Sequence, residues 1–363
     1  MPKWGLAMKE GSIIKWFVEI GSKVNKGDIL VEIETEKVVN EMESPEEGIL
    51  IKKCIEEDVK IPVGSLIALY GNEDVSENEI EKYIEEFNEN FQKEEILNSE
   101  ESNISHKISL DNVEINFIKI LNDKEKNVLF IHGFGGDLNN WMFNQEELSK
   151  DYNTFALDLP GHGLSSKNFD NGSLNFFSEL IIKFFKENKL NNINLVGHSF
   201  GAGIAINCAY NNNDYIESLN LISPIGLGNT IDCSYLENFI ISDSRKDLKK
   251  ELEKLYFNSE IITRDLINEV LKYKRIDGVS DSLKLIKDEI IVNGEQNINL
   301  KDKINKILIP TTIIWGKQDT IISYDHSKNL NEKIHIKLID ECGHMAHTEH
   351  PNEVNAIISD TLS

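Results

Sequence analysis

Late in this 363-residue chain, Gly197-His198-Ser199-Phe200-Gly201 sets a serine between two glycines, after the apolar run 193–196 and before the helix-like Ala202-Gly203-Ile204-Ala205-Ile206. Glycine on both sides permits a strained strand-to-helix turn, which exposes a hydroxyl above a sheet and lets other backbone close in. The five-residue pattern arises often by chance, but between a strand and a helix it is specific. A serine hydroxyl is a poor nucleophile, so it needs a base to take its proton and an acid to orient that base. Asp319, after the run ending at Trp315-Gly316, and His344, after the run 334–339, follow in the order serine, aspartate, histidine. His347 and His350 lie close by and are bases by type; His344, directly after its strand, is the better placed, with His347 in reserve. Cys342 reads as a buried filler, because Ser199 has the better turn around it.

A charge developing on a substrate oxygen needs donors. His132-Gly133-Phe134-Gly135-Gly136 follows the run 127–131, and its glycines can aim backbone amides at an oxyanion, with Phe134 and Phe200 as the two suppliers. A dinucleotide loop is the competing reading and fails, since Leu138 stands where a third small residue is required. His162, in the turn Asp158-Leu159-Pro160-Gly161-His162-Gly163, reads as structural.

A second reactive position lies early, at Lys37 in Glu34-Thr35-Glu36-Lys37-Val38. Apolar or alternating runs at 14–20, 29–33, 50–53 and 66–70 are separated by Gly21, Gly27, Gly48 and Gly64, the rhythm of a compact all-β module in two halves. Lys37 falls near the junction of the halves, on an exposed hairpin tip. A tether for a mobile group needs such a lysine, held away from the body by a rigid turn. Charged hairpin tips are also common simply as solubilising turns.

The elements that must hold the late motifs alternate. Strand-like runs 127–131, 155–159, 193–196, 219–222, 309–315 and 334–339 alternate with helical ones, which predicts an α/β domain of buried parallel strands over 107–363. Several helical runs at about 225–300 interrupt the alternation as an inserted cap would. The all-β module occupies 1–73. Between them, 74–106 begins with a capping box at Ser76-Glu77-Asn78-Glu79, and Ile80, Tyr83, Ile84, Phe87 and Phe91 then recur at helical spacing among glutamates, followed by a polar spacer.

With 62 acidic against 38 basic side chains the net charge is -24, which opposes nucleic acid and anionic membrane surfaces as partners. Lys272, Lys274 and Arg275 form one small basic cluster that could meet an anionic thioester, although a solvated helix face is the plainer reading. Lys3, Lys9, Glu10, Lys15 and Glu19 break every apolar run at the N-terminus and no later stretch is long enough, which predicts neither a signal peptide nor a membrane span. Cys54, Cys208, Cys233 and Cys342 have neither paired nor metal-type spacing, so reduced thiols, no metal and a cytoplasmic location are expected.

Residues 1–11, MPKWGLAMKEG, then Gly27-Asp28 and Glu34-Thr35-Glu36-Lys37-Val38, resemble the lipoyl domain of 2-oxo acid dehydrogenase-type complexes. The resemblance implies lipoic acid attached to Lys37. Biotinyl domains flank their lysine with methionines, whereas Glu36 and Val38 stand here. One departure is that the chain begins at the Met-Pro of the motif, where family members carry several residues of a first strand ahead of it. The late motifs resemble the α/β-hydrolase family across nearly all of 107–363, and the family's roles fall on Ser199 as nucleophile, Asp319 as orienting acid and His344 as base.

A lipoyl domain followed by an α/β-hydrolase domain is similar to the acetyltransferase components of acetoin dehydrogenase complexes. The His-x-x-x-Asp-Gly signature of the usual lipoyl-bearing acyltransferases is absent. This resemblance implies transfer of an acetyl group from lipoyl-lysine to coenzyme A, with thiamine diphosphate-dependent acetoin dehydrogenase subunits and dihydrolipoyl dehydrogenase as partners around a homo-oligomeric core. A lipoylated serine hydrolase releasing the free acid is the alternative left open by the residues.

Overall fold

The computed structural model describes residues 1, 10–35, 39–71, 75–97, 105–169, 171–211 and 213–362. It divides into two compact units, Met1–Glu100 and Glu101–Ser363.

In the first unit, seven short strands form two sheets: β1 (Glu10–Trp16), β2 (Lys23–Val24), β3 (Ile29–Glu34), β4 (Val39–Glu43), β5 (Gly48–Lys53), β6 (Lys60–Pro62) and β7 (Ala68–Gly71). The sheet orders are β4-β3-β1-β6 and β2-β5-β7. Ile13, Val24, Leu30, Val31, Ile33, Leu50, Ile61 and Ile67 fill the core between them. The strands are short because a left-handed glycine at 21, 27 or 64 reverses the chain every few residues. Helix α1 (Glu77–Leu97) opens on reciprocal bonds, the Ser76 amide to Glu79 Oε2 at 3.0 Å and the Glu79 amide to Ser76 Oγ at 3.4 Å. It packs on its own unit, since a Cβ at Gly64 would fall 2.8 Å from the Phe91 ring. The spacer read from the sequence falls largely on 98–104, outside the described residues.

The second unit is built on an eight-stranded sheet ordered β17-β16-β13-β12-β10-β11-β9-β8. Its strands are β8 (His106–Leu110), β9 (Val113–Ile120), β10 (Asn127–Ile131), β11 (Asn153–Leu157), β12 (Ile193–His198), β13 (Ile216–Ile222), β16 (Thr311–Gly316) and β17 (Ile334–Ile339). From β11 through β17 neighbours pair in parallel, and their apolar runs lie buried between helix layers. Those helices are α2 (Met142–Leu148), α3 (Leu174–Glu187), α4 (Phe200–Asn211), α10 (Ala346–Glu349) and α11 (Pro351–Leu362).

The sequence reading omitted β8 and β9, which add an antiparallel hairpin to the β11 edge. Their turn is Asp111-Asn112 with φ of +48° and +66°, a two-residue hairpin turn closed without glycine. The expectation of fully buried strands also fails at β17, an edge strand with four of six residues exposed. Between β13 and β16 the chain inserts α5 (Cys233–Ile241), α6 (Arg245–Glu253), α7 (Arg264–Lys274), α8 (Val279–Ile290), the hairpin β14 (Ile291–Val292)–β15 (Glu295–Gln296) and the short α9 (Lys301–Ile304). Among the described residues no helix is long and apolar enough to cross a membrane.

Candidate active site

Ser199 occupies the single residue between β12 and α4, at a φ of +51°, a conformation that non-glycine residues rarely adopt. Its amide donates to Ile222 O at 2.8 Å, and its carbonyl accepts from Gly203 N at 3.1 Å and Ile225 N at 3.3 Å. These bonds tie the turn to the strand beside it and hold the strained backbone in place. The flanking glycine is required sterically: a Cβ at Gly201 would lie 2.2 Å from Ile131 O and 2.5 Å from His132 O.

Asp319 follows β16 and His344 follows β17, so the parallel order of the sheet delivers both side chains to the edge where Ser199 sits. His344 Nδ1 bonds Asp319 Oδ2 at 2.8 Å, with both side chains buried. Facing a carboxylate, Nδ1 is the protonated nitrogen, which leaves Nε2 with the lone pair. Asp319 Oδ1 accepts from the Ile321 and Ile322 amides at 2.9 and 3.0 Å, and Oδ2 also accepts from Trp315 Nε1 at 3.0 Å. Burial pushes the Asp319 carboxyl up, but the charge and hydrogen bond of His344, with the two amides, outweigh it and hold the group below its ordinary range.

The loop after β10 carries the other expected donor. Gly135, at a φ of +73°, gives its amide to His162 Nε2 at 3.1 Å, and the Gly136 amide goes to Gly133 O at 3.2 Å. Among the described residues the amides of Phe134 and Phe200 have no acceptor within the protein. Phe200 opens α4, where the first-turn amides of a helix have no intrahelical partner. His162 is spoken for on both sides, with Nδ1 facing Pro160 O at 3.1 Å, which is a structural role.

His347 does not meet Asp319. It is fully buried between the Trp141 ring, 4.4 Å away, and the His198 ring, 4.7 Å away. Neither of its ring nitrogens has a partner among the described residues, and burial, then the nearby charge of His344, lowers its pKa to about 3. It is therefore a neutral packing group. His350 faces Glu341 O at 3.1 Å instead.

Sequence reasoning passed over His198 except as part of the motif. Its Nε2 donates to the His344 carbonyl at 3.0 Å, and a Cβ at Gly133 would fall 2.6 Å from its Nδ1, so it lies between the oxyanion loop and the histidine loop. Burial, followed by the closeness of the His347 and His344 rings, which opposes a further positive charge there, holds His198 well below the usual histidine range. A histidine just before the serine of the motif was the available signal, and its contacts depend on two loops distant in sequence.

Ser199, His344, Phe134 and Phe200 line one cavity, roofed by Tyr235, Leu236 and Phe239 of α5, Leu252 of α6 and Val270 of α7. Among the described residues no lysine or arginine lines it. Two members of the basic cluster near 272–275 are engaged elsewhere: Lys274 Nζ bonds the carbonyls of Phe239 and Ser242, and Lys272 lies 3.8 Å from Glu269. The arrangement can generate an alkoxide, orient its base and hold an oxyanion under an apolar roof.

Lys37 lies outside the described residues. The strands beside it are described: β3 and β4 pair antiparallel up to Glu34 opposite Val39, both exposed. An exposed end of the strand pair fits an amide-linked arm carried beside it.

The family described as "Biotin-requiring enzyme" matches residues 1–69, and that described as "alpha/beta hydrolase fold" matches residues 126–351. Among similar proteins are two called the dihydrolipoyllysine-residue acetyltransferase component of acetoin cleaving system. The one from Cupriavidus necator is 31% identical over 100% of this chain and 96% of its own length; the one from Pseudomonas putida is 31% identical over 98% and 95%. The human monoacylglycerol lipase ABHD6 is 26% identical over 65% of this chain and 75% of its own. Of solved structures, a meta-cleavage product hydrolase superposes with a TM-score of 0.64 at 20% identity, covering 71% of this chain and 97% of that one, which shows the fold alone. With whole-length identity to the first two, the chain belongs to the family of dihydrolipoyllysine-residue acetyltransferase components of acetoin cleaving systems, and its larger unit is an α/β-hydrolase.

Proposed function

We propose that this chain moves an acetyl group from lipoyl-lysine at Lys37 to the thiol of coenzyme A, within a multienzyme complex that cleaves acetoin. Ser199 is the nucleophile, His344 the base, Asp319 its orienting acid, and the Phe134 and Phe200 amides the oxyanion donors. The observation that carries this reading is the 2.8 Å bond from His344 Nδ1 to Asp319 Oδ2, in a cavity that His344 shares with a serine on a strained elbow.

The lipoyl group supplies a dithiol on which acetyl is carried as a thioester. At the cavity, His344 Nε2 takes the Ser199 proton as Oγ forms a bond to the thioester carbonyl carbon. The Phe134 and Phe200 amides hold the oxygen that becomes negative. Collapse breaks the carbon–sulfur bond, and His344 gives its proton to the departing thiolate. The acetyl ester on Ser199 then meets the coenzyme A thiol, whose proton goes to His344 and finally back to Ser199 Oγ. Asp319 keeps the imidazole in the working tautomer and steadies its charge in both halves.

Water is the rival acceptor at the ester stage. The apolar roof of Leu236, Phe239, Leu252 and Val270 disfavours it, and a thiolate outcompetes water once bound. Because no lysine or arginine among the described residues lines the cavity, the pantetheine arm enters it and the phosphates of coenzyme A are held outside. Thiamine diphosphate-dependent acetoin dehydrogenase subunits would load the arm and dihydrolipoyl dehydrogenase would reoxidise it, around a homo-oligomeric core. The four cysteines are free thiols, which fits the reducing cytoplasm.

The test supplies S-acetyldihydrolipoamide with and without coenzyme A and follows acetyl-coenzyme A and acetate separately. Acetyl-coenzyme A is expected as the main product, abolished by Ser199→Ala; acetate formed at the same rate without coenzyme A would favour a hydrolase. Intact mass before and after Lys37→Arg reads the attachment, and an unchanged lipoyl adduct in that variant would move it elsewhere.

A further inference from the structure

The cap and the histidine loop are joined main chain to main chain. After α6, Leu255 O accepts from His344 N at 2.8 Å and from Met345 N at 3.3 Å, while Lys254 O accepts from Thr320 Oγ1 at 2.8 Å. The two backbones approach so closely at Gly343 that a Cβ there would lie 2.7 Å from Leu255 O and 2.9 Å from Phe257 N. One side chain spans this seam. Glu349, closing α10, accepts from the Phe257 and Asn258 amides through Oε1 at 2.8 and 3.1 Å, and from the Gly343 amide through Oε2 at 2.6 Å. Both carboxylate oxygens are thus used, one on the cap and one on the residue before His344.

We propose that Glu349 is a positioning residue that fixes the histidine loop to the cap, so that the base is correctly placed only while the roof is seated. The inference rests on the reading of His344 as base. A carboxylate suits the task because it accepts at both ends, and bonds from backbone amides to a charged acceptor are stronger than neutral ones. Holding a base within a fraction of an ångström of its working place is worth orders of magnitude in rate, so slack at Gly343 reaches the chemistry without touching the substrate.

Glutamine is the informative replacement. Its carbonyl keeps the two cap amides and its NH2 then opposes the Gly343 amide, which frees the histidine loop while the cap stays anchored. In full-length protein turning over S-acetyldihydrolipoamide and coenzyme A, Glu349→Gln is expected to lower kcat by about tenfold with KM changed by less than about twofold. The acetate share of product should rise as the seam loosens, and Glu349→Ala should exceed Glu349→Gln in both effects. A residue serving stability alone would lower the melting temperature and leave kcat of the folded enzyme and the product ratio unchanged; that result overturns the proposal. Should Glu349→Ala fail to fold, Glu349→Gln alone decides. Ser199→Ala, run alongside, separates the failures: full activity there defeats the proposed function, whereas an inactive Ser199→Ala beside a fully active Glu349→Gln defeats only the role of Glu349.

Discussion

Replacing Asp319 by asparagine exchanges an acceptor of four hydrogen bonds for a group with one acceptor atom and one donor atom. In one orientation the new carbonyl keeps the Ile321 and Ile322 amides, now at 2.9 and 3.0 Å, and the NH2 faces His344 Nδ1. The imidazole answers by moving its proton to Nε2, and the Trp315 indole falls back on Ile322 O, 3.0 Å away. In the opposite orientation His344 keeps its working tautomer, but two buried amides lose their acceptor, at about 1–3 kcal/mol each. The first orientation is therefore favoured by roughly 2–6 kcal/mol, and in it Nε2 already carries a proton and cannot take one from Ser199. At about 1.4 kcal/mol per decade, kcat should fall by about 30- to 10⁴-fold. KM should barely move, because a tautomer affects the chemical step and not binding. Acetyl-coenzyme A formation from S-acetyldihydrolipoamide, with a thermal melt to confirm folding, reads the result. A folded Asp319→Asn enzyme keeping a third or more of its kcat would refute the tautomer reasoning.

Three further outcomes follow from packing and charge. His347, with its pKa at about 3, stays neutral when folded, while the unfolded chain takes up its proton below about pH 6.5. Stability is thus lost as pH falls through that window, by up to about 1.4 kcal/mol per pH unit for this one proton. His347→Leu should flatten the loss between pH 6 and 4 in calorimetry, and an unchanged slope would show the group is not the titrating one. Gly201→Ala drives a methyl to 2.2 Å from Ile131 O, so a cost of about 3 kcal/mol and a melting temperature lower by about 6–12 °C are expected; a wild-type melt would mean that the elbow can shift aside. Leu50→Ala empties a fully buried position in a core of eight side chains, at about 2–5 kcal/mol. The melting transition of the small unit should drop while turnover of free S-acetyldihydrolipoamide stays at the wild-type rate, and loss of that turnover would show that the two units are not independent.

Much of this architecture was legible because parallel strands announce themselves. The runs at 127–131 and 334–339 match β10 and β17 in their bounds, one a continuous apolar run after Asn127 and the other an alternation of apolar residues with His335 and Lys337. Other bounds drifted by up to four residues, as at β1, Glu10–Trp16 against the run 14–20, and by three at Ile216–Ile222, where Glu217 and Ser218 break the apolar run that marks the strand. The β8–β9 hairpin escaped notice because its strands mix polar and apolar residues and its turn uses Asp111-Asn112 without the glycine that usually signals one. At the site, residue type and chain order pointed to Ser199, Asp319 and His344, and the structure brings His344 and Asp319 within hydrogen-bond distance. The support around them was not legible. His198 and Glu349 act through contacts between segments far apart in sequence, while Trp315 and Ile322 meet Asp319 within four residues, and nothing in local pattern marks an indole or a backbone amide as the partner of a carboxylate.

The left-handed backbone at Ser199 limits which side chains that position accepts. A branched β-carbon is poorly tolerated at a φ of +51°, and the space is already narrow, since a methyl on Gly133 would come within 3.2 Å of the Ser199 β-carbon. Threonine, chemically the nearest relative of serine, is thus conformationally the worse substitute, while cysteine has the unbranched shape the elbow requires. Exchange of oxygen for sulfur is an open route for redesigning this elbow, and addition of a single methyl is a closed one.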